Sequence, residues 1–174
     1  MKRNIISALK AMVVFTIVLG IVYPLVVTGI SQVAFGKNAD GNPDLIAKDT
    51  KGDPRLFQPR PSQTDYSPDA TFFSNRGPNQ ASAAAFYRKQ IAEYRKLNGN
   101  VTPPIDAVTT SGSGVDPHIS LANATIQARR VARVRGIPLA DVMNAVHKAT
   151  DGRFLGLFGE PGVNTTKLNE ALGR

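Results

Sequence analysis

The feature that most constrains this chain is an uncharged apolar run over residues 11–36. The run holds 26 residues, most of them Val, Ile, Leu, Phe or Ala. At about 1.5 Å per residue, a helix of that length spans roughly 39 Å, more than the ~30 Å hydrocarbon core of a bilayer. A core helix of a soluble domain would be shorter and would carry a polar face. The run therefore predicts a transmembrane helix.

The charges on either side of the run predict its orientation. Three basic residues precede it, whereas the lysine that follows it soon meets acidic residues: Lys2, Arg3 and Lys10 before, and Lys37, Asp40 and Asp44 after. The positive-inside rule places residues 1–10 in the cytoplasm and the C-terminal domain outside it. A cleaved signal peptide is the alternative, but its apolar core would be about 7–15 residues long. We therefore predict an uncleaved, single-pass anchor.

Small and polar residues recur every four positions within the run, at Thr16, Gly20, Pro24, Thr28 and Gln32. In lipid, small residues let helix backbones approach and polar side chains seek partners across helices. Proline removes a backbone hydrogen bond and presses on the carbonyl four residues earlier, which predicts a kink. The series favours a docking stripe for other membrane helices; a passive anchor is the alternative.

The predicted elements, the composition and the charge rule together indicate a small α+β protein in which a loop-rich extracytoplasmic α/β domain, residues 57–174, follows a stalk over residues 37–56. Glycine and proline are plentiful at 15 and 12 residues, and the chain has no cysteine. Of its 21 basic residues, 18 follow Gly36, against all 13 acidic ones, so this part carries a net charge of +5. That excess suits a solvated surface, an acidic partner or anionic headgroups, and we predict no nucleic-acid partner.

Periodicity and turn residues predict the elements of the outer domain. The predicted helices cover residues 80–97, 120–135 and 138–149, with a last helix capped by Asn164 or Thr165; the predicted strands cover residues 105–109 and 154–158. Ser120 is the expected N-cap of the second of these helices, and Gly136 follows its end. An aromatic stripe on the first helix, which includes Tyr87 and Tyr94, is interpreted as core.

Arginines supply the candidate partner contacts. Two prolines flank Arg60 and favour an extended backbone, which would hold its guanidinium out toward a carboxylate; a rigid surface connection is the alternative. The helix at 120–135 carries several further arginines, which we interpret as mostly solvated or partner-facing. Arg129 and Arg133 are the candidates there.

A Gly/Ser loop, Ser111-Gly112-Ser113-Gly114, lies between the predicted strand at 105–109 and a helix start. Such an arrangement can hold an anion on backbone N–H groups. The loop lacks the Gly-Lys-Ser/Thr ending of a P-loop and does not match G-x-G-x-x-G. A nucleophilic triad of Ser113, Asp116 and His118 is disfavoured because no G-x-S-x-G elbow is present. Two histidines without paired ligand spacing predict no metal site.

Taken together, these segments resemble the C subunit family of the Kdp potassium-transporting P-type ATPase. The resemblance rests on the whole stretch from Val108 to Ser120, together with Arg60-Pro61-Ser62, Ser74-Asn75-Arg76-Gly77-Pro78-Asn79 and Gly159-Glu160-Pro161-Gly162-Val163-Asn164. The order of these segments and the single span cover nearly the whole chain. Val115 stands where the family usually has Leu, Gly162 where it usually has Arg, and the segment after the span is short enough to lack one strand.

The resemblance implies a non-catalytic accessory subunit in a bacterial inner membrane, bound to a potassium-channel-like subunit and an ATP-hydrolysing P-type subunit. It also implies a catalytic chaperone that raises the ATP affinity of the pump, with the Gly/Ser loop, and with it Asp116 and His118, as the nucleotide or partner site. Charge places this domain outside the cell, where ATP is scarce, so coupling through the transmembrane helix would need no nucleotide contact. An anchored hydrolase using Ser113 or His118, or a plain binding module, are the alternatives.

Overall fold

The computed structural model describes residues 2–39, 41–72 and 74–173, with the side chains of residues 37–39 excepted. The chain divides into two compact units, residues 1–42 and 43–174. Each unit has its own architecture and is described separately.

The first unit is helical from Lys2 to Ala39, with one interruption at Phe35, whose φ of −130° and ψ of 24° are not helical. Its elements are α1 (Lys2–Ile17), a π-helical turn (Val18–Val22) and α2 (Tyr23–Ala39). The stretch Lys2–Gly36 is long and apolar enough to cross a membrane, with a mean hydropathy of 2.5 in its most apolar window. The π turn directly precedes Pro24, which has no N–H to donate to Gly20. The N–H of Tyr23 instead reaches the carbonyl of Val18, so proline and π turn coincide as in other interrupted helices.

The second unit is an α+β domain with five helices, one 3₁₀ turn and three short strands among its described residues. In order these are a 3₁₀ turn (Pro43–Leu45), α3 (Ala81–Asn98), α4 (Ile105–Val108), β1 (His118–Ile119), α5 (Leu121–Arg135), α6 (Leu139–Lys148), β2 (Thr150–Asp151), β3 (Gly162–Asn164) and α7 (Thr165–Ala171). The predicted α+β class and the four longer helices are confirmed.

The caps of α5 and α7 follow the sequence signals. Ser120 accepts a hydrogen bond from the N–H of Asn123 at the start of α5, and Gly136 ends that helix in the left-handed region, where glycine has no steric cost. Asn164 accepts from the N–H groups of Thr166 and Lys167 at the start of α7. Side-chain oxygens thus satisfy backbone donors that a helix start leaves unpaired.

The three strands form one antiparallel sheet in the order β1-β3-β2. His118 pairs with Asn164 across β1 and β3, and Thr150 pairs with Val163 across β2 and β3. The strands are too short to cover the helices, so the core lies mainly between α5, α6, α7 and the central strand. Its fully buried residues are Phe57, Ile119, Ala124, Ala128, Val131, Val142, Val146, Val163 and Leu168.

The strand predicted at 105–109 is wrong, because residues Ile105–Val108 form the single helical turn α4. The turn places Ala107 and Val108 together against Tyr94 of α3, and it leaves Ile105 in solvent. It also aims the Asp106 carboxylate at the start of α5. Tertiary contacts override the β propensity of this segment, as they commonly do for short apolar runs.

The strand predicted at 154–158 is also wrong. Residues 154–158 form a tight exposed turn closed by one bridge between Phe154 and Phe158. Leu155 and Gly156 both have positive φ values, which an extended strand does not allow. An apolar run of five residues fits a buried strand by composition, but here no second layer covers it.

The segment predicted as a stalk over 37–56 differs in the structure from Pro43 onward. The N–H of Ala47 donates to the carbonyl of Val115 over 2.7 Å, and the Ala47 side chain is buried. The hydroxyl of Thr166 in α7 donates to the carbonyl of Ile46. Apart from the 3₁₀ turn, residues 43–56 are irregular, as predicted, but they belong to the domain rather than to a stalk because α7 and the Val115 backbone hydrogen-bond to them.

The aromatic stripe of α3 is only partly core. Tyr94 is buried, and Ile91 packs against the cluster around it, whereas Tyr87 near the start of the helix is exposed. The ring of Phe86 instead receives the guanidinium of Arg76, whose central carbon lies 4.3 Å from the ring centroid. The interpretation of the whole stripe as core therefore holds only for the second half of α3.

Candidate functional site

The Gly/Ser loop of the sequence analysis is packed into the domain by its own hydroxyl groups. Ser111 is 1% exposed, and its Oγ accepts from the N–H of Gly114 at 3.2 Å. The Oγ of Ser113 accepts from the N–H of Val115, also at 3.2 Å, and lies 3.3 Å from the Ser111 hydroxyl. Two backbone donors that could face a phosphate are therefore engaged by the serines of the loop itself.

A second motif segment locks the loop from outside. The Ser62 hydroxyl donates to the carbonyl of Gly114 over 2.6 Å, and the N–H of Ser111 donates to the carbonyl of Pro61. Gly114 has φ +81°, and a Cβ there would lie 2.7 Å from Thr64 Oγ1. Only glycine fits this position without strain or a clash. The Arg-Pro-Ser segment and the Gly/Ser loop are thus two halves of one structural contact.

His118 lies between two carboxylates at the edge of the sheet. Its Nδ1 is 2.9 Å from Asp116 Oδ1 and its Nε2 is 2.9 Å from Asp151 Oδ2, so the imidazole connects β1 to β2 across β3. Below it lies Gly162 of β3, where a Cβ would approach the His118 Cβ to 3.1 Å. The absence of a side chain at Gly162 therefore leaves room for this histidine. Lys167 adds a longer contact of 3.7 Å to Asp151.

The cluster favours a protonated histidine. Partial burial lowers the pKa of His118, but the hydrogen bonds to Asp151 and Asp116 outweigh burial, and the pKa is raised above its ordinary 6.5. The hydrogen bond from His118 in turn lowers the pKa of Asp151 below its ordinary value. An imidazolium can donate from both ring nitrogens, which matches an acceptor on each side.

This geometry does not form the triad considered for Ser113, Asp116 and His118. Both ring nitrogens of His118 are engaged by carboxylates, so neither is available as a base for a serine hydroxyl. Asp116 accepts from the backbone N–H of His118 as well as from its ring. The Ser113 hydroxyl contacts the Ser111 hydroxyl and the N–H of Val115. The three residues are near in sequence but act in two separate contacts.

Arg60 does not extend away from the chain as predicted. Its guanidinium folds back on the segment before the Gly/Ser loop, where one terminal nitrogen donates to the carbonyl of Thr110 at 3.0 Å and to the Thr109 hydroxyl at 3.3 Å. Its Nε is buried without a hydrogen bond. The carbonyl of Arg60 also accepts from the Tyr66 hydroxyl at 2.9 Å. The residue therefore holds the loop rather than presenting a free cation.

The arginines of α5 divide by face. Arg129 and Arg133 are exposed, in agreement with their selection as surface candidates. Arg130 is 2% exposed and donates to the carbonyl of Leu56 and to Gln127 Oε1. Burial lowers its pKa to about 10. The fourth arginine of the helix, Arg135, donates to the carbonyls of Arg55, Leu172 and Gly173. The helix thus carries two solvated arginines and two that hold other segments of the domain.

The sequence analysis missed a set of buried amides that hold the extended segment 56–58. The Asn169 amide accepts from the N–H of Phe57 and donates to its carbonyl, at 2.8 and 2.9 Å. Gln127 does the same to Gln58, at 2.7 and 3.1 Å. Amide side chains in α5 and α7 thus supply the backbone hydrogen bonds that a neighbouring strand would otherwise supply. Their only sequence signal is an amide at a core-facing position of a helix.

Beside these amides, a buried hydrogen-bond network connects the three helices α3, α4 and α5. The Tyr94 hydroxyl of α3 donates to Asn123 Oδ1 over 2.9 Å, and Gln127 donates to the same oxygen. Asn123 itself donates to Asp106 of α4, whose carboxylate also accepts from the N–H and hydroxyl of Ser120. Networks of this kind stabilise one arrangement only when every member is satisfied. A cavity of about 430 Å³ borders this network, with Tyr66 and Tyr94 among its lining residues.

The proposed membrane stripe lies in the first unit. Thr16 donates to the carbonyl of Met12, and a Cβ on Gly20 would meet only the Thr16 methyl, at 4.0 Å. An α-helix has 3.6 residues per turn, so residues spaced by four drift slowly around it. The π turn holds more residues per turn than an α-helix, and it offsets part of that drift between Gly20 and Pro24.

Fold and site define a class: a small α+β domain with an N-terminal helix of membrane-spanning length. Comparison with known proteins specifies the family, since the model for the K⁺-transporting ATPase c chain, KdpC, matches residues 5–174. This chain belongs to the KdpC family of potassium-transporting ATPase subunits, as the sequence resemblance had indicated.

Curated relatives named potassium-transporting ATPase KdpC subunit are similar over nearly their full lengths. The relative from Mycobacterium bovis is 40% identical over the whole of both chains. The relative from Methylococcus capsulatus is 42% identical over 95% of this chain and 94% of its own. The relative from Caldanaerobacter subterraneus is 45% identical over 99% of this chain and 95% of its own.

Proposed function

We propose that this chain is a non-catalytic accessory subunit that assembles with, and stabilises, the ATP-hydrolysing P-type subunit and the potassium-channel-like subunit of its complex. It lies in a bacterial inner membrane with residues 1–10 in the cytoplasm and the α+β domain outside. Family membership, the span-length helix and the basic residues before the apolar run support this proposal.

The observation that carries the non-catalytic role is how the motif residues use their polar groups. Ser62, Ser111 and Ser113 hydrogen-bond to the backbone around Gly114, and His118 is held by Asp116 and Asp151. A nucleophile needs a base within hydrogen-bond reach. The candidate base, His118, is instead hydrogen-bonded to two carboxylates. The motifs that identify the family are in this sense fold-forming.

The effect on ATP handling that the family resemblance implies is, in our proposal, transmitted through assembly rather than through nucleotide contact. The N–H groups of Gly114 and Val115 donate hydrogen bonds to serine oxygens of the loop, and the Ser111 side chain is buried. A phosphate cradle needs such donors directed at the ligand. These residues therefore fit a cradle for ATP poorly.

The stripe of small and polar residues on the first helix is our candidate assembly surface. Lipid tails are as apolar as leucine, so helices associate in a bilayer through close packing and hydrogen bonds. Enlarging Gly20 to leucine adds bulk to the stripe, whereas Val18→Leu adds one methylene in the same π turn but off the stripe. We expect Gly20→Leu to release the chain from its partner subunits and Val18→Leu to retain them.

The measurement is a side-by-side pull-down from detergent-solubilised membranes, with ATPase activity of the recovered complex as a function of ATP concentration. Ser113→Ala is included and should recover its partners with an unchanged ATP requirement. Equal partner recovery from Gly20→Leu and Val18→Leu would contradict the assembly surface. A Ser113→Ala complex that assembles normally but needs several-fold more ATP would support nucleotide contact instead.

A further inference from the structure

The turn at residues 154–158 exposes four large apolar side chains in succession. Phe154, Leu155, Leu157 and Phe158 are 71%, 75%, 77% and 65% exposed, and only Gly156 interrupts them. Scattered exposed apolar residues are ordinary, but a contiguous group of large ones marks a surface that something covers. We call this group the apolar tip.

The apolar tip has a defined conformation that hydrogen bonds and an ion pair hold in place. Phe154 and Phe158 exchange both backbone hydrogen bonds, at 2.9 and 3.0 Å, and the N–H of Gly156 donates to the carbonyl of Arg153. At the base, Arg153 donates to both carboxylate oxygens of Glu160 at 3.1 Å. The backbone reverses through positive φ values at Leu155, Gly156 and Gly159. This arrangement fixes the apolar side chains outward, at a cost that the hydrophobic effect opposes in water.

The core of the domain is complete without the tip. The buried cluster of α5, α6, α7 and β3 includes none of residues 154–158. The outward direction of these side chains is therefore not a by-product of filling the interior. Their cover must come from outside the domain.

We infer that the apolar tip inserts into the headgroup–acyl boundary of the bilayer that the N-terminal helix crosses. Three residues, 40–42, separate the end of α2 at Ala39 from the start of the domain at Pro43, and three residues reach at most about 11 Å when fully extended. Short apolar elements bind at this boundary by burying their side chains about 5–10 Å deep. The inference rests on the first helix spanning the membrane.

Two further observations favour lipid over a partner subunit. The outer part of the chain carries a net charge of +5, which is attracted to anionic headgroups and adds to apolar insertion. A bilayer is also present whenever the span is inserted, so it covers the tip before any partner binds. If the tip instead bound in a cavity on another subunit, its apolar side chains would stay in water until assembly is complete.

The experiment uses the absence of cysteine from the full chain. A single cysteine replaces Leu155, is labelled with an environment-sensitive fluorophore, and the full chain alone is reconstituted into vesicles of phosphatidylethanolamine and phosphatidylglycerol. Part of the lipid carries a nitroxide near the top of the acyl chain. Ser82→Cys on the exposed side of α3 is the matched surface control, and Val18→Cys, within the apolar run, is the control for a side chain inside the bilayer.

We expect the label at Leu155→Cys to be quenched at least about two-fold more than the label at Ser82→Cys, as for a group in the interface. Replacing Leu157 and Phe158 by aspartate should bring that quenching down to the control level. Quenching at Val18→Cys but not at Leu155→Cys overturns the inference. So does a spectral shift at Leu155→Cys that appears only when the other subunits are added, which would assign the tip to a protein cavity.

Absence of quenching at Val18→Cys would contradict the membrane span itself, and the inference would fail with it. That result is distinguishable from failure of the assembly proposal, since the vesicles contain no partner subunit. A second label at Phe158→Cys tests whether the outcome depends on one substitution. It should agree with Leu155→Cys.

Discussion

The Gly/Ser loop and the apolar tip invert the usual relation between residue type and burial. The loop is made of small polar residues, yet Ser111 and Gly114 are buried and bonded to their neighbours. The tip is made of Phe and Leu, yet each of these side chains is mostly in solvent. Both segments contain residues with positive φ values, so both are shaped by backbone geometry rather than by hydrophobic patterning.

The difference shows which segment builds the domain and which is available to other molecules. In the loop, hydroxyl groups replace water as partners of the backbone, which is the condition for burying polar groups without a large cost. In the tip, backbone hydrogen bonds close the turn, while the four large apolar side chains remain mostly exposed. A motif rich in Gly and Ser is thus structural here, and an apolar run that resembles a strand is surface.

The largest effect expected from this comparison is at Gly114. Gly114→Val places a β-branched residue at φ +81° with a Cβ 2.7 Å from Thr64 Oγ1, so we expect a loss of about 3 kcal/mol in the free energy of unfolding. The measurement is urea denaturation of the full chain in detergent, followed by near-ultraviolet circular dichroism.

Gly112→Ala is the matched control in the same loop. Gly112 does not have a positive φ value, and a Cβ there meets nothing within 4 Å, so this change should alter the free energy of unfolding by less than about 0.5 kcal/mol. Equal stability of Gly114→Val and Gly112→Ala would show that the loop is not fold-forming.

A smaller effect is expected from the pH dependence of the His118 cluster, which follows the loop directly. The pKa of His118 is raised, so its stabilisation is fully present below about pH 6.5 and is lost as the pH rises through the folded-state value. The pKa of Asp151 is lowered, so its contribution is present above about pH 3.8 and is lost as the pH falls. The cluster therefore stabilises the domain most between these two values.

Between pH 6 and pH 8 the free energy of unfolding should fall by about 0.5 kcal/mol, since solvent screens this partly exposed cluster. His118→Gln should remove that decrease, and His147→Gln, at the exposed second histidine, should retain it. Denaturation at a series of pH values measures both. An unchanged pH dependence in His118→Gln would mean that the two carboxylate contacts contribute nothing to folding.

The smallest effect on folding is expected at the apolar tip. Leu157→Ser removes an exposed side chain, so the free energy of unfolding should change by less than about 0.5 kcal/mol. Leu168→Ala in the core should instead cost about 3 kcal/mol, because it leaves a cavity. Thermal unfolding of both variants in detergent measures the contrast. A large loss of stability in Leu157→Ser would place the tip in the fold and remove the difference from the loop.

Elements whose signals are local could be predicted from the sequence. The apolar run, the four longer helices and the caps at Ser120 and Asn164 depend on neighbouring residues, and the structure confirms them. The family was likewise recognisable from motif order alone, because such motifs are read along the chain.

What the tertiary structure decided is which face each segment presents. Segment 105–109 had the composition of a strand, but it forms a helical turn. The turn packs Ala107 and Val108 against Tyr94, and it lets Asp106 accept a hydrogen bond from Ser120. Arg130 and Arg129 are adjacent and chemically identical, yet one is buried because Leu56 and Gln127 supply its acceptors. Sequence periodicity reports local conformation, whereas burial depends on partners that are distant in sequence, and only the folded chain brings these together.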